Sequence, residues 1–112
     1  MKKVEAIIRM EKLDDVREAL EKMGYPGMTV TRVEGHGRQK GLVEQFRGRE
    51  YKVELLPKIK LEVVSHDKDA EKIAESIART AKTGEIGDGK IFISSIENVI
   101  RIRTGEKGDA SI

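Results

Sequence analysis

Two βαβ halves of similar length, packed as one α+β sandwich, are what this sequence predicts. Two stretches alternate apolar and polar residues at strand period, and an apolar stripe at helical spacing follows each of them. A chain of 112 residues has room for one domain and one core, so residues 1–112 are read as a single domain.

The elements follow in order. Val4, Ala6 and Ile8 alternate with Glu5, Ile7 and Arg9, a strand whose second face Ile7 makes partly apolar. Leu13, Val16, Ala19, Leu20 and Met23 then fall at helical spacing, and Gly24 sits where a left-handed glycine ends a helix. Met28 to Gly35, rich in valine and threonine, reads as a second strand. From Lys58 the period-2 signal returns, with Ile59, Leu61 and Val63 against Lys58, Lys60 and Glu62. Asp67 is placed to cap a second helix, whose stripe is Ala70, Ile73, Ala74, Ile77, Ala78 and Ala81, with Gly84 as its stop. Ile91 to Ile93 open a fourth strand. A short fifth is expected where Ile100 and Ile102 alternate with Arg101 and Arg103, and the polar tail, about 102–112, is expected to be mobile.

This order fits the ferredoxin-like βαββαβ arrangement, in which both helices cover one face of an antiparallel sheet. Ile7 and the runs Ile59–Val64 and Ile91–Ile93 predict that the other face is not fully polar. An exposed apolar sheet face is usually an interface, so a closed symmetric oligomer is expected. Between the second and third strands the pattern breaks down over about 20 residues, too long for a plain connection in a compact domain. Gly35, Gly37, Gly41 and Gly48 interrupt it, and five Arg or Lys against three Glu between His36 and Glu54 leave it locally basic. A long mobile loop at about 37–55, rich in arginine and carrying Tyr51, reads as a limb that touches another molecule.

Composition narrows the function. Lys plus Arg is 22 against 20 Asp plus Glu, a net charge of +2 that argues against a whole-surface nucleic-acid binder. The absence of cysteine excludes disulfides, thiol catalysis and thiolate metal sites. No apolar run approaches the roughly 18 residues of a membrane span, and no signal-like segment follows Met1, so a soluble cytoplasmic protein is expected. His36 and His66 have no third ligand at metal spacing, and no Ser-His-Asp set or paired catalytic carboxylates stand out. The chain is not read as an enzyme.

Three features suit phosphate. Gly87-Asp88-Gly89-Lys90 lets backbone N–H groups converge on an anion beside a point charge, although a tight turn explains the same residues and the spacing is not that of a Walker loop. Gly35-His36-Gly37-Arg38-Gln39-Lys40-Gly41 has the same ingredients, or is a hinge. Arg101 and Arg103, at i and i+2 on a strand, share a face that can fork onto phosphate, or are simply solvated. Lys58 is placed either to meet a ligand carboxylate or to stand in solvent. Together the three features point to a polyanion such as a nucleotide.

Longer motifs carry a resemblance. Gly24 through Gln39 (GYPGMTVTRVEGHGRQ), Arg47-Gly48-Arg49-Glu50-Tyr51, Leu56-Pro57-Lys58-Ile59-Lys60, Thr80 through Phe92 (TAKTGEIGDGKIF) and Val99 through Glu106 together resemble the PII signal-transduction proteins over essentially the whole chain. The resemblance implies a homotrimer that binds ATP or ADP in the clefts between subunits and senses 2-oxoglutarate with ATP and Mg²⁺, with no redox cofactor. It implies partners such as an ammonium transporter or nitrogen-assimilation enzymes, a membrane only through a transporter, and no nucleic acid.

Residue by residue, it places Gly87, Asp88, Gly89 and Lys90 in the phosphate loop, about 82–90, with Arg101 and with Arg103 from a neighbouring subunit. Gly35, Gly37 and Arg38 match the base of the mobile loop beside the phosphates. Thr29, Glu62 and Val64 match the adenine pocket, and Ile7 lines the same cleft. Gln39 matches the residue that helps hold Mg²⁺. Gln39, Lys40, Gly41 and Lys58 match the 2-oxoglutarate site, Tyr51 a uridylylation site of some bacterial members, and Arg47 the arginine that docks into transporters. The chain departs from the pattern at Met10, often proline, and at Phe46 and Arg49, which flank Tyr51. A PII-like trimer with another small effector is the nearest alternative, with intact Gln39 and Lys58 against it. A ferredoxin-like RNA binder is remote, because the sheet lacks the aromatic residues on which such modules stack bases.

Overall fold

The computed structural model describes residues 1–37 and 54–112. Its elements are β1 (Lys2–Ile8), a 3-10 turn at Met10–Lys12, α1 (Leu13–Lys22), β2 (Thr29–Gly37), β3 (Glu54–Ser65), α2 (Asp67–Ala81), β4 (Lys90–Ser95) and a closing 3-10 turn at Gly108–Ser111. The strands form one sheet in the order β2-β3-β1-β4, each pair antiparallel. This is the expected α+β sheet with two helices.

Strand alternation sorts the side chains. Val4, Ala6 and Ile8 of β1 and Ile59, Leu61 and Val63 of β3 point to the helices and are buried. Val16 and Leu20 of α1 and Ala70, Ile73, Ile77 and Ala81 of α2 close over them. Each large aliphatic side chain buried this way contributes about 1.5–3 kcal/mol relative to exposure.

The opposite face is not fully polar, as expected, although Ile91 and Ile93 are not what makes it so. Ile91 and Ile93 lie opposite Ala6 and Val4, so they share the helix face. What the open face presents is Ile7, Val64 and Phe92 around an ion-pair ladder: Lys3–Glu62 at 2.9 Å, Lys60–Glu5 at 3.6 Å and Lys60–Glu62 at 3.8 Å. The Lys3 bond lowers the Glu62 pKa, and the same bond raises that of Lys3.

Four local expectations need correction or sharpening. The arms of the β2–β3 ribbon run further out than expected, with β3 starting at Glu54 rather than Lys58. Pro57 fits inside a strand there because β1 ends opposite Ile59 and leaves that side of β3 without a partner. Asp67 is not the cap of α2; His66 holds that place in extended conformation without a side-chain bond, and Asp67 instead accepts from the N-terminal ammonium at 2.6 Å. The fifth strand is absent. Around Arg101–Glu106 the chain folds back on itself, with Gly105 at φ +74°, N–H bonds from Gly105 to Arg101 O and from Arg101 to Glu106 O at 2.8 Å, and one isolated bridge between Ile100 and Lys107. Arg101 and Arg103 therefore do not share the face of a strand. The tail makes contacts back to the body of the chain: Ser111 Oγ donates to Val99 O at 3.0 Å, Arg101 reaches Ser111 O, and His66 Nδ1 meets Asp109 at 3.3 Å.

Candidate functional site

β1 ends at Ile8, and β4 begins at Lys90 opposite Ile7. The connection from α2 to β4 must therefore arrive beside Arg9, the first residue past β1. Glycine makes the close approach possible. Gly87 and Gly89 have φ of +105° and +104°, a region costly to other residues. A Cβ on Gly89 would stand 1.7 Å from the Ile7 carbonyl oxygen, inside backbone that cannot yield.

The carboxylate of Asp88 turns inward. It accepts from the Thr83 N–H at 2.9 Å, the Thr83 hydroxyl at 2.5 Å, the Gly84 N–H at 2.8 Å and Arg9 Nε at 3.0 Å. These bonds, those of Thr83 foremost, hold its pKa far below the usual carboxylate range. Arg9 Nη2 also donates to the Ile86 carbonyl at 2.9 Å. From the other side Lys58 Nζ donates to the Gly87 carbonyl at 2.7 Å. Lys58 is not solvated: only 8% of it is exposed, and burial, followed by the Arg9 charge, lowers its pKa. Arg9 and Lys58 thus flank Gly87, 3.2 and 3.5 Å from where a Cβ would stand. A loop with its own acid already bonded, bordered by two cations and followed by exposed Lys90, suits a polyanion.

The other predicted residues fall into separate groups. Thr29, Glu62 and Val64 line one cleft of about 760 Å³, with Tyr25 and Ile112 at its walls. The Tyr25 hydroxyl donates to Asp69. Ile7 pairs with Lys60, so on the open face it stands about 13 Å from Val64, four residues further along β3. The backbone of Gly35 pairs with Leu56, and a Cβ there would touch Lys58 at 3.6 Å; Gly37 closes β2 opposite Glu54. Arg101 is engaged by Glu106 at 3.2 Å, and among the described residues no hydrogen bond or ion pair joins Arg101 or Arg103 to the glycine loop. Arg38, Gln39, Lys40, Gly41, Arg47 and Tyr51 lie outside the described residues. Among the described residues no cluster of three His, Asp or Glu is placed to hold a metal ion, and no helix is long and apolar enough to cross a membrane.

Sequence reasoning did not single out Arg9 or Thr83. Arg9 had no local signal, because its partners lie more than seventy residues away. Thr83 had one: a threonine just before a glycine suits an ST turn, and its hydroxyl accepts from the Glu85 N–H at 3.1 Å.

The family model of the nitrogen regulatory protein P-II matches residues 1–106. The chain belongs to the P-II family. It is 58% identical over 112 residues to nitrogen regulatory protein P-II 1 of Escherichia coli, covering all of both chains. It is 59% identical over 108 residues to nitrogen regulatory protein P-II of Rhizobium meliloti, covering 96% of each. It is 54% identical over 112 residues to nitrogen regulatory protein P-II 2 of Methanothermobacter thermautotrophicus, covering all of this chain and 97% of that one. P-II proteins are regulatory signal-transduction proteins, so this chain is a regulator of nitrogen metabolism and not an enzyme.

Proposed function

We propose that this P-II protein is a cytoplasmic homotrimer that binds ATP or ADP and 2-oxoglutarate at clefts between subunits. Its output is docking of the segment between β2 and β3, through Arg47, onto an ammonium transporter or a nitrogen-assimilation enzyme. The observation that carries the nucleotide reading is the loop at Gly87–Gly89, which only glycine can form and which Lys58 and Arg9 border. Backbone N–H groups and Lys90 hold the phosphates in this reading, and Thr29, Glu62 and Val64 receive the adenine, with Ile7 between the two. Gly35, Gly37 and Arg38 stand beside the phosphates, and Arg101 and Arg103 complete the site from a neighbouring subunit.

Mg²⁺ enters with the triphosphate, and Gln39 helps to hold it. Lys58, with Gln39, Lys40 and Gly41, takes 2-oxoglutarate. Gln39 follows β2 and Lys58 lies in β3, so a dicarboxylate held by both ties the two ends of the docking segment to the nucleotide cleft. Effector binding then shifts the population of docking-competent conformations by no more than its differential affinity for them. Tyr51 is the candidate for uridylylation.

Calorimetric titration with Mg²⁺ and ATP, with and without 2-oxoglutarate, tests the reading. ATP binding is expected alone, and 2-oxoglutarate binding only in its presence. Failure to bind ATP rejects the nucleotide site; 2-oxoglutarate binding that ignores ATP rejects the coupled one.

A further inference from the structure

We propose that Arg9 and Thr83 are positioning residues for the nucleotide, gripping the Asp88 carboxylate from two sides so that the Gly87–Gly89 backbone is already open to phosphate before ligand arrives. This rests on the nucleotide reading of the same loop and adds to it the two side chains that shape it.

The geometry assigns Asp88 a different task from its neighbours in the loop. A carboxylate aimed at phosphate would repel it. Here four donors occupy the carboxylate: two N–H groups and a hydroxyl from Thr83 and Gly84, and the guanidinium of Arg9. The grip is two-sided because its parts come from different elements. Thr83 follows α2, whereas Arg9 follows β1. Asp88 therefore ties the end of a helix to the end of a strand, and the loop between is spanned by that tie. Arg9 adds a second hold, on the Ile86 carbonyl at 2.9 Å. The side chain of Arg9 is itself largely sheltered, 17% exposed, and that of Asp88 is 25% exposed, so water competes only in part for the pair.

Glycines make this necessary. Gly84, Gly87 and Gly89 all take positive φ and lose more backbone freedom on ordering than other residues do. A loop so flexible binds phosphate only after paying that entropy, unless side chains hold it in advance. Arg9 and Thr83 supply that hold without contacting the ligand. The planar guanidinium suits the work, since it donates to Asp88 and to Ile86 at once, which a lysine ammonium at the same place does less well.

Arg9→Met, Thr83→Val, Asp88→Asn and the Arg9→Met/Asp88→Asn double variant test this, with Arg9→Lys as the conservative change. Two readouts are taken on the full chain: ATP affinity by calorimetry, and the backbone ¹⁵N order of Gly87 and Gly89 without ligand, with α2 as internal reference. Arg9→Met and Thr83→Val are expected to weaken ATP binding about ten-fold, and to lower order at Gly87 and Gly89 while α2 is unchanged. Arg9→Lys is expected to fall between Arg9→Met and the parent. The double variant is expected to bind no worse than its weaker single parent, because both changes release one tie. Unchanged ATP affinity in Arg9→Met and Thr83→Val overturns the proposal. So does weaker binding with loop order intact, or full additivity in the double variant, since either makes Arg9 a direct ligand contact. If the parent protein itself binds no ATP, the nucleotide reading fails and the positioning role falls with it; if the parent binds and the variants bind equally, the positioning role alone fails.

Discussion

Gly89 shows how a single residue can be irreplaceable for reasons invisible in its neighbours: its missing Cβ leaves room for the Ile7 carbonyl. Lys58 and Asp88 are set by the same crowding, and each carries a prediction. Lys58→Met keeps the aliphatic stem and removes the ammonium. It is expected to abolish 2-oxoglutarate binding while ATP still binds, because Arg9 continues to hold the loop; equally tight 2-oxoglutarate binding by calorimetry places that site elsewhere. For Asp88 the sign is fixed by direction. Its folded pKa lies below the ordinary value of 3.8, so it contributes stability that is fully present above about pH 4 and is lost as pH falls toward the folded value. Urea midpoints measured from pH 6 down to pH 2 are expected to fall less steeply below pH 4 for Asp88→Asn than for the parent. Parallel profiles would mean that the carboxylate is not held this way.

Among elements, α1 shows how a helix end is written locally. Tyr25 N–H bonds Leu20 O and Gly24 N–H bonds Glu21 O, both at 3.0 Å, the paired bonds of a Schellman end, and Gly24 takes φ +88°. A Cβ at Gly24 meets nothing within 4 Å, so the cost of Gly24→Ala is backbone strain alone. It is expected to be about 1 kcal/mol. Leu20→Ala, on a residue with no exposed surface, is expected to cost about 2–5 kcal/mol. Equilibrium urea unfolding of both variants checks the order; a Gly24→Ala cost as large as that of Leu20→Ala would mean the turn is packed, not merely strained. Gly24, Leu20 and the α1 stripe were all legible in sequence, since a helix and its cap are read over a few neighbouring residues. Arg101 to Arg103 were not, because Ile-Arg-Ile-Arg alternation fits a strand as well as the turn that Gly105 closes.

For the whole molecule, the helices cover one face of the sheet and leave the other presenting Phe92, half exposed, beside Ile7, Val64 and the Lys3–Glu62–Lys60–Glu5 ladder. Ile102 is 99% exposed and Ile100 57%. So much uncovered apolar surface in a small chain is what a closed assembly would bury. Light scattering is expected to give a mass of about three times 12.6 kDa. A mass of one chain at micromolar concentration would contradict the trimer and with it any site shared between subunits.

The sequence by itself determined the order of the first four strands and the two helices, the core stripes and the family, because periodicity and long motifs are properties of neighbouring residues. It also singled out Gly87–Lys90, the loop on which the proposed phosphate site rests. Tertiary structure alone decided that Asp88 faces Thr83 and Arg9, that Lys58 is buried against Gly87, and that the open face is bound by ion pairs. The reason is reach: Arg9 to Asp88 spans 79 residues and Lys58 to Gly87 spans 29, and only the sheet, by pairing β1 with β3 and β4, brings those ends together.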